Sequence, residues 1–260
     1  MSDGSTSVHL TSEPGLRFQR LLGCNVTEEQ LRACAKLFSE NYGVWGADAS
    51  PRLTPGSRIR MSPRKLRSEC LSDPARTLLV ICTCDGRPDH IGHAFATVWT
   101  CNGESIGWIT QLVVHKDFRR QYIATTLVQT LKRQELFGRA TIVGVISSHP
   151  ATCNVVAKLT RLNVTEVDLS FIAEHAQRIL SCSPVPYLRA ARLHGSLFQE
   201  HCTSGAVSTV DTEFPLDHEE PLDALKEIEK TYGAPWKLGT LPAGHEFLAM
   251  YHLVVRHGAA

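Results

Sequence analysis

The stretch QLVVHKDFRRQYIATTLV, residues Gln111–Val128, carries the strongest structural signal in the sequence. It reads as an apolar strand, a tight turn that contains Arg119 and Arg120, and an amphipathic helix. The first helical turn contains the small residues Ala124 and Thr125, which let a ligand approach the backbone. Because unpaired N–H groups and the helix dipole favour negative charge at a helix start, the stretch predicts a site for a diphosphate. The alternative is a turn whose arginines are only solvated.

Upstream of this stretch the sequence predicts one strand and two helices. Leu16–Leu22 is an apolar strand, and Thr27 with Gln30 forms a capping box that starts a helix. That helix carries an apolar stripe at helical spacing, formed by Leu31, Cys34, Ala35 and Phe38. A long loop rich in Gly, Pro and Ser spans Gly43–Ser62, and Ser62-Pro63 opens the second helix.

Three strands lead into the turn, and alternating elements follow it. The strands are Thr77–Cys84, Ile91–Thr100 and Ser105–Val114, with Asn102-Gly103 as a two-residue hairpin turn between the last two. The later elements are a helix over Gln121–Phe137 closed by Gly138, a strand at Thr141–Ser147, helices at Ala151–Leu162 and Asp168–Ser181, a strand at Ala206–Phe214, a helix at Glu219–Tyr232 and a strand at His245–Val255. This order predicts an α/β class with a mixed, mostly antiparallel sheet and helices on its faces.

Composition excludes several classes of function. The chain has 260 residues, of which 43% are hydrophobic, and 27 basic against 26 acidic residues give a net charge of +1. This balance provides no basic surface for nucleic acid or for an anionic membrane. The nine cysteines contain no CxxC pair, so we expect no metal site and interpret the thiols as buried small apolar groups. The sequence shows neither a signal-peptide pattern nor an apolar run near 20 residues, so we expect a cytoplasmic protein. We expect it to be a monomer or a homodimer.

Phe118–Val128, FRRQYIATTLV, resembles the acetyl-CoA-binding motif Q/R-x-x-G-x-G/A of the GNAT N-acetyltransferases, with Arg119 first and Ala124 last. The preceding LVVHKDF is similar to the end of the fourth strand of that family, and Asn154-x-x-Ala157 resembles the start of its second motif. The resemblance implies a flexible segment at residues 1–15, a GNAT core at 16–165 and a C-terminal elaboration at 166–260 that completes the sheet. The tail is similar to fungal GNAT-like proteins whose substrate is unknown.

The resemblance also implies how acetyl-CoA would bind. The fourth and fifth strands would splay apart, and the backbone of Leu112, Val113 and Val114 would hold the thioester and the pantetheine arm. The turn would cradle the pyrophosphate through Arg119, Arg120, Gln121, Tyr122, Ile123, Ala124 and Thr125. Asn154 would reach the pantetheine arm. Tyr122 stands where the family prefers glycine, and its ring would either narrow the site or point into solvent.

The catalytic groups of the family are missing from their usual positions. Trp108 and Thr110 occupy the positions of its general base, and Arg161 occupies that of its tyrosine acid. Counting outward from a two-residue turn at Asn102-Gly103 pairs Thr97 with Trp108, Phe95 with Thr110 and His93 with Leu112, which sets His93 beside the acyl site as a candidate base. A bulge in the fourth strand would turn His93 away and leave it a structural histidine.

Candidates for substrate contacts lie in the first loop and in the tail. Trp45 and Trp108 could line an acceptor pocket, although buried tryptophans more often belong to the core. His218 lies in the run Asp217-His-Glu-Glu220, which either contacts substrate or caps the following helix. His245, followed by Glu246, starts the last strand and could close the pocket.

The sequence therefore predicts an acetyl-CoA-dependent N-acetyltransferase that acts on a small-molecule primary amine or arylamine by direct attack in a ternary complex. Orientation of the amine and the thioester contributes roughly 7–11 kcal/mol to such a reaction, so a weak base suffices. The alternative is a GNAT-fold module that binds acyl-CoA as a sensor or scaffold. A third possibility is another reaction of the thioester, such as hydrolysis or decarboxylation.

Overall fold

The computed structural model describes residues 15–49, 53–87 and 89–253, which form one eight-stranded sheet with helices against it. The strand order is β1-β2-β3-β4-β5-β8-β7-β6. The strands are β1 Leu16–Leu22, β2 Thr77–Cys84, β3 Gly92–Cys101, β4 Glu104–Val114, β5 Ile142–Ser147, β6 Arg192–His194, β7 Thr209–Asp211 and β8 His245–His252. The helices are α1 Glu28–Asn41, α2 Pro63–Cys70, α3 Ile123–Lys132, α4 Glu135–Gly138, α5 Pro150–Ala157, α6 Leu169–Ser181, α7 Pro186–Arg189 and α8 Glu219–Tyr232.

The first two helices start where their capping residues predict. Thr27 and Gln30 form the reciprocal capping box at the start of α1, and the predicted stripe of α1 is buried. Ser62 accepts the N–H of Lys65 at 3.1 Å, and Pro63 opens α2. These helices therefore confirm the prediction from local sequence. A flexible segment is predicted at residues 1–15, and residues 1–14 of it lie outside the described residues.

The hairpin between β3 and β4 is confirmed, but part of its predicted register is wrong. Asn102 and Gly103 both have positive φ, 50° and 84°, and Thr97 lies opposite Trp108 as predicted. The register then shifts between Phe95 and Ala96, so that Phe95 lies opposite Gln111 and His93 opposite Val113. Thr110 is the extra residue of this bulge in β4, and the shift explains why the predicted partners of Phe95 and His93 are each off by one.

The expected splay between the fourth and fifth strands is present. β4 and β5 pair in parallel only over Ile106–Ile109 and Ile142–Val145. The last residues of β4, Thr110–Val114, have no paired partner on that side among the described strands. Beyond β5 the sheet continues with β8, β7 and β6, all of which come from the C-terminal part of the chain. The sheet therefore opens between β4 and β5 and continues beyond β5 with strands from the C-terminal part of the chain.

Two later elements differ from the prediction. The helix expected at Gln121–Phe137 is divided into α3 and α4, and Gly138 lies inside α4 and does not cap it. The break allows Phe137 to pack over Gly107, where a Cβ atom would lie 2.9 Å from the ring. The strand expected at Ala206–Phe214 is reduced to β7. Among the described residues, no helix combines the length and the apolar composition that crossing a membrane requires.

Candidate active site

The turn between β4 and α3, residues 119–125, presents a row of free backbone donors, and we call it the anion turn. Among the described residues, the backbone N–H groups of residues 120–125 donate no hydrogen bond, and the helical ladder starts with Thr126 to Tyr122. Arg120 and Tyr122 have positive φ, 62° and 59°, which turns successive N–H groups toward one side. Such a concave row of N–H groups at a helix start binds anions. The structure therefore forms an anion site from the backbone alone.

The side chain of Tyr122 lies largely in solvent. It is 77% exposed, although the residue also lines the cavity described below. Its left-handed backbone conformation is one that glycine adopts without strain, which accounts for the glycine at this position in the GNAT motif. The departure from the motif therefore affects the local backbone energy and leaves the binding surface open.

The two arginines of the anion turn differ in their surroundings. The Arg119 guanidinium donates to the carbonyl oxygen of Asn41 at 2.5 Å and forms an ion pair with the carboxylate of Glu220, at the start of α8. A hydrogen bond from His149 and the positive charge of Arg119 lower the pKa of Glu220. Arg120 is exposed and forms no ion pair among the described residues. Arg120 is therefore free to meet an incoming phosphate, whereas Arg119 must first exchange its carboxylate partner.

A continuous cavity of about 1720 Å³ extends from the anion turn through the gap in the sheet to the inner end of α2. Twelve residues singled out in the sequence line it: Trp45, Thr110, Leu112, Val113, Val114, Arg119, Arg120, Tyr122, Ile123, Ala124, Thr125 and Asn154. Five others do not line it: His93, Trp108, Gln121, His218 and His245. The gap of β4 and the start of α5 thus face one space, as the resemblance implies for a bound acyl-CoA.

His93 lies outside this cavity. It is fully buried, and its Nε2 hydrogen-bonds to Oε1 of Gln111 at 2.7 Å. Burial lowers the pKa of His93 to about 4, so it is neutral at physiological pH. The role of His93 as a base depended on the register that the β4 bulge shifts. The structure places His93 in the core and gives it no access to substrate.

The remaining candidates outside the cavity are held by packing. Trp108 is fully buried and covers Gly144, where a Cβ atom would lie 2.2 Å from the indole. His218 precedes α8, and burial lowers its pKa. His245 packs against the ring of His194, with 4.5 Å between the ring centroids. None of these three residues lines the cavity.

Four further groups line the cavity, of which the sequence pointed only to Glu246, as the neighbour of His245, and we call this part of the cavity the acidic end. The groups are Tyr42 at the C-terminal end of α1, Glu69 of α2, Tyr187 of α7 and Glu246 of β8. Oε1 of Glu246 accepts the N–H of Ser148, just after β5, at 3.3 Å. Burial raises the pKa of Glu246 to about 7 and also raises the pKa of Glu69. The structure thus places a carboxyl that titrates near neutrality beside the opening of the sheet.

The only sequence signal for Glu246 was its position after His245. Successive strand residues face opposite sides of a sheet, so one of this pair had to face the interior. The structure directs Glu246 to the cavity and His245 toward β6. Tyr187 had no sequence signal, because it lies in α7, a short helix that was not predicted. Its hydroxyl donates to the carbonyl oxygen of Thr110, at the bulge of β4, at 3.1 Å.

Aromatic side chains form the outer wall beside the acidic end. Phe38, Tyr42, Trp45 and Phe214 line the cavity together, and we call them the aromatic wall. Phe38 stacks on Tyr42 with ring centroids 4.2 Å apart, and Trp45 meets the ring of Phe214 edge-on at 4.9 Å. This wall joins the first loop to the C-terminal part of the chain and gives the cavity an apolar surface.

The cavity has the features that an acyl-CoA requires. The anion turn supplies unpaired N–H groups for phosphate, and the unpaired edge of β4 supplies backbone groups for the amides of the pantetheine arm. Asn154 of α5 also faces this space, and its Oδ1 accepts the hydroxyl of Tyr232 at 3.1 Å. The residues present therefore fit a ligand with an anionic head and a long polar arm.

Comparison with known protein families gives a match for part of the chain. Residues 36–159 match the model of the acetyltransferase (GNAT) family. No curated protein matches the chain.

Many solved structures are similar to the chain, and three of them illustrate the range. A NatC complex with Gag peptide and CoA is 20% identical, and the match covers 55% of this chain and 82% of that one with a TM-score of 0.40. The ribosomal-protein-S18-alanine N-acetyltransferase of Escherichia coli is 17% identical, and the match covers 56% of this chain and 76% of that one with a TM-score of 0.38. The diaminobutyrate acetyltransferase EctA of Paenibacillus lautus, in complex with its substrate and coenzyme A, is 16% identical, and the match covers 54% of this chain and 69% of that one with a TM-score of 0.34.

Proposed function

We propose that the protein is an acetyl-CoA-dependent N-acetyltransferase, because residues 36–159 match the model of the acetyltransferase (GNAT) family, which uses acetyl-CoA. It transfers the acetyl group to a small primary amine by direct attack in a ternary complex. The cytoplasmic location, the assembly as monomer or homodimer, and the likeness of the tail to fungal proteins stay predictions.

The observation that carries this proposal is that the anion turn, the gap in β4, the acidic end and the aromatic wall all line one cavity. A donor held by the anion turn and the edge of β4 leaves the acidic end and the aromatic wall for an acceptor. Two substrates can therefore bind at once, which is the requirement for direct attack.

Each part of the donor site has a role in this proposal. The N–H groups of residues 120–125 and the charge of Arg120 hold the pyrophosphate. The edge of β4 from Leu112 to Val114 holds the pantetheine arm, and Asn154 contacts it from α5. Bound there, acetyl-CoA supplies an activated acetyl group. Backbone donors aimed at a thioester oxygen contribute about 3–4 kcal/mol to acyl transfer.

Direct attack is favoured over a covalent acetyl-enzyme. Among the described residues, Cys70 is the cysteine that lines the cavity. Burial raises the pKa of its thiol, so it stays protonated and is a poor nucleophile at neutral pH.

A catalytically weak acyl-CoA-binding module is the second candidate. It is supported by the absence of the family's usual proton-transfer groups, because Trp108 and Thr110 occupy the positions of its base and Arg161 occupies that of its acid. Trp108 is buried over Gly144, and Arg161 is exposed in a left-handed conformation. Such a module would bind acyl-CoA tightly without turnover.

Thiol release from acetyl-CoA, followed with a thiol reagent against a panel of amines, tests these candidates. Release that depends on the amine, with a matching N-acetylated product, supports the transferase. Release without amine indicates thioester hydrolysis or decarboxylation, and calorimetric binding of CoA without release for any amine indicates the module.

A further inference from the structure

Glu246 has an unusual position for a carboxyl group. It is the second residue of β8, and its Oε1 accepts the N–H of Ser148 just beyond the end of β5. β4 and β5 part after Ile109 and Val145, so this carboxyl lies a few residues from the opening of the sheet. Tyr187, whose hydroxyl reaches the carbonyl oxygen of Thr110 in that opening, faces the same carboxyl. Glu246 therefore borders the place where an acyl group and its acceptor would meet.

Among the described residues, no positive charge is paired with Glu246. The titratable groups that interact with it electrostatically are Tyr42 at the C-terminal end of α1, Glu69 of α2, Cys153 of α5 and Tyr187 of α7. Burial raises the pKa of both tyrosines and of the cysteine, so these three are neutral at pH 7. None of the ion pairs among the described residues includes Glu246.

Two cations that line the same cavity are engaged with other carboxylates. Lys65 contacts Glu69 at 3.6 Å, and Arg192 pairs with Asp211 at 2.8 Å and with Glu213. Glu246 is half-buried, and a carboxylate that is partly withdrawn from water without a cationic partner favours a ligand that brings the positive charge itself. An alkylammonium ion supplies this charge, whereas an arylamine is uncharged at neutral pH.

The aromatic wall adds a second requirement. It offers the faces and edges of four rings to the same cavity, beside the acidic end. Such a surface binds apolar groups and also attracts cations. An acceptor that fits both surfaces has an ammonium group at one end and an apolar body at the other.

We propose that the acceptor is an aliphatic primary ammonium ion with an apolar body, and that Glu246 binds the ammonium group and accepts its proton. This inference rests on the proposed acetyl transfer and names its acceptor class and its proton acceptor. The body of the acceptor lies against the aromatic wall. Arylamines are excluded as preferred acceptors, because they bring no charge to the carboxylate.

The transfer step balances with the groups at hand. The ammonium group gives one proton to the carboxylate of Glu246, and the freed nitrogen pair attacks the thioester carbonyl carbon. The C–N bond forms and the C–S bond breaks, and the second proton of the nitrogen ends on the departing sulfur. A base whose pKa lies near 7 suits this transfer, because it is partly ionised at working pH and still attracts a proton.

The first test compares Glu246→Gln with the wild type in acetyl transfer to 2-phenylethylamine and to aniline. We expect the wild type to prefer 2-phenylethylamine, with a rate that rises with pH through about 7. Glu246→Gln should lose roughly 10²–10⁴-fold in kcat and the inflection in the pH profile, while its CoA affinity stays unchanged. The matched control is Glu213→Gln, because Glu213 is exposed on the same cavity and paired with Arg192. An unaltered rate and profile in Glu246→Gln, or a preference for aniline, would overturn the inference.

A second measurement separates failure of this inference from failure of the proposed function. 2-Phenylethylamine is titrated by calorimetry into the protein saturated with CoA, a complex in which no transfer can occur. We expect the wild type to bind the amine at least tenfold more tightly than Glu246→Gln does, and to bind aniline weakly. Amine binding that depends on Glu246 without any turnover refutes the transferase and keeps the ammonium site. Amine binding that is equal in both proteins refutes the ammonium site, whether or not acetyl transfer occurs.

Discussion

The anion turn and the acidic end lie in the same cavity but are built in opposite ways. The anion turn is one continuous segment of seven residues, 119–125, and its donors are backbone N–H groups. The acidic end collects Tyr42, Glu69, Tyr187 and Glu246 from four elements that are far apart in the chain. One site therefore depends on backbone conformation, and the other depends on the packing of distant side chains.

This difference has consequences for how each site responds to mutation. A backbone site tolerates changes of side chains that point away, and it fails when a group enters the concave face. A side-chain site loses binding when one of its functional groups is replaced, for example a carboxylate by an amide. Burial of its charge also lowers the stability of the folded protein in the absence of ligand. Mutations at the two ends of the cavity should therefore have different signatures in binding and in stability.

Ala124→Glu should have the largest effect on the anion turn. Ala124 lines the cavity, and a carboxylate there places negative charge and bulk where the pyrophosphate binds. We expect CoA affinity, measured by calorimetry, to fall at least a thousandfold, about 4 kcal/mol. The control is Gln121→Glu, because Gln121 is exposed, does not line the cavity and adds the same charge. Equal losses in both variants would mean that the effect is only general electrostatic repulsion.

Glu246→Gln should make the folded protein more stable at high pH. The pKa of Glu246 rises from its ordinary 4.5 to about 7 on folding, so the folded state binds more protons than the unfolded state between these pH values. Wild-type stability therefore falls as pH rises through that window, by about 3 kcal/mol in total. The variant lacks this loss and should be more stable than the wild type by about 3 kcal/mol at pH 8 and equal to it near pH 4.5.

Denaturant titrations at both pH values measure this difference. Glu213→Gln, whose carboxylate is exposed and paired, should show no comparable dependence on pH. A difference between Glu246→Gln and wild type that is the same at both pH values would show that the carboxyl of Glu246 is not buried as a charge. The acidic end would then lose the electrostatic property that sets it apart from the anion turn.

The same contrast explains what the sequence could predict. Capping at Thr27 and Ser62, the hairpin at Asn102-Gly103 and the strand-to-helix turn depend on residues within a few positions of each other, and the structure contains all of them. The splay followed from the family resemblance, since no local pattern encodes it. These features place the anion turn and the edge of β4, the donor half of the cavity.

The acceptor half could not be predicted in this way. The bulge at Thr110 has no local signal, and it moves His93 into the core by shifting the register by one residue. Glu246 approaches the opening only because β8 pairs with β5 across about a hundred residues of chain. Tyr187 depends on α7, a single turn that its short sequence does not reveal. Non-local pairing therefore determines where the side chains of the acceptor half lie, whereas local sequence determines the caps, the hairpin and the anion turn.

Glu220→Gln should strengthen CoA binding. Glu220 pairs with Arg119 in the anion turn, and an incoming phosphate competes with that carboxylate. Removing its charge should increase CoA affinity roughly three- to tenfold at low ionic strength, and the gain should shrink in high salt. Glu219→Gln is the matched control in the same turn of α8, without the contact to Arg119. Unchanged affinity in Glu220→Gln would mean that Arg119 keeps its ion pair when CoA binds.

Tyr122→Gly should have the smallest effect, and it tests the backbone character of the anion turn most directly. Tyr122 has a φ of 59° and a side chain that is 77% exposed. Glycine relieves the left-handed strain, so we expect a gain of roughly 0.5–1 kcal/mol in the free energy of unfolding and no change in CoA affinity. Gln121→Gly, at a position without positive φ, should instead lose stability. A several-fold loss of CoA affinity in Tyr122→Gly would show that the phenol ring itself contacts the ligand, and the anion turn would then depend on a side chain as the acidic end does.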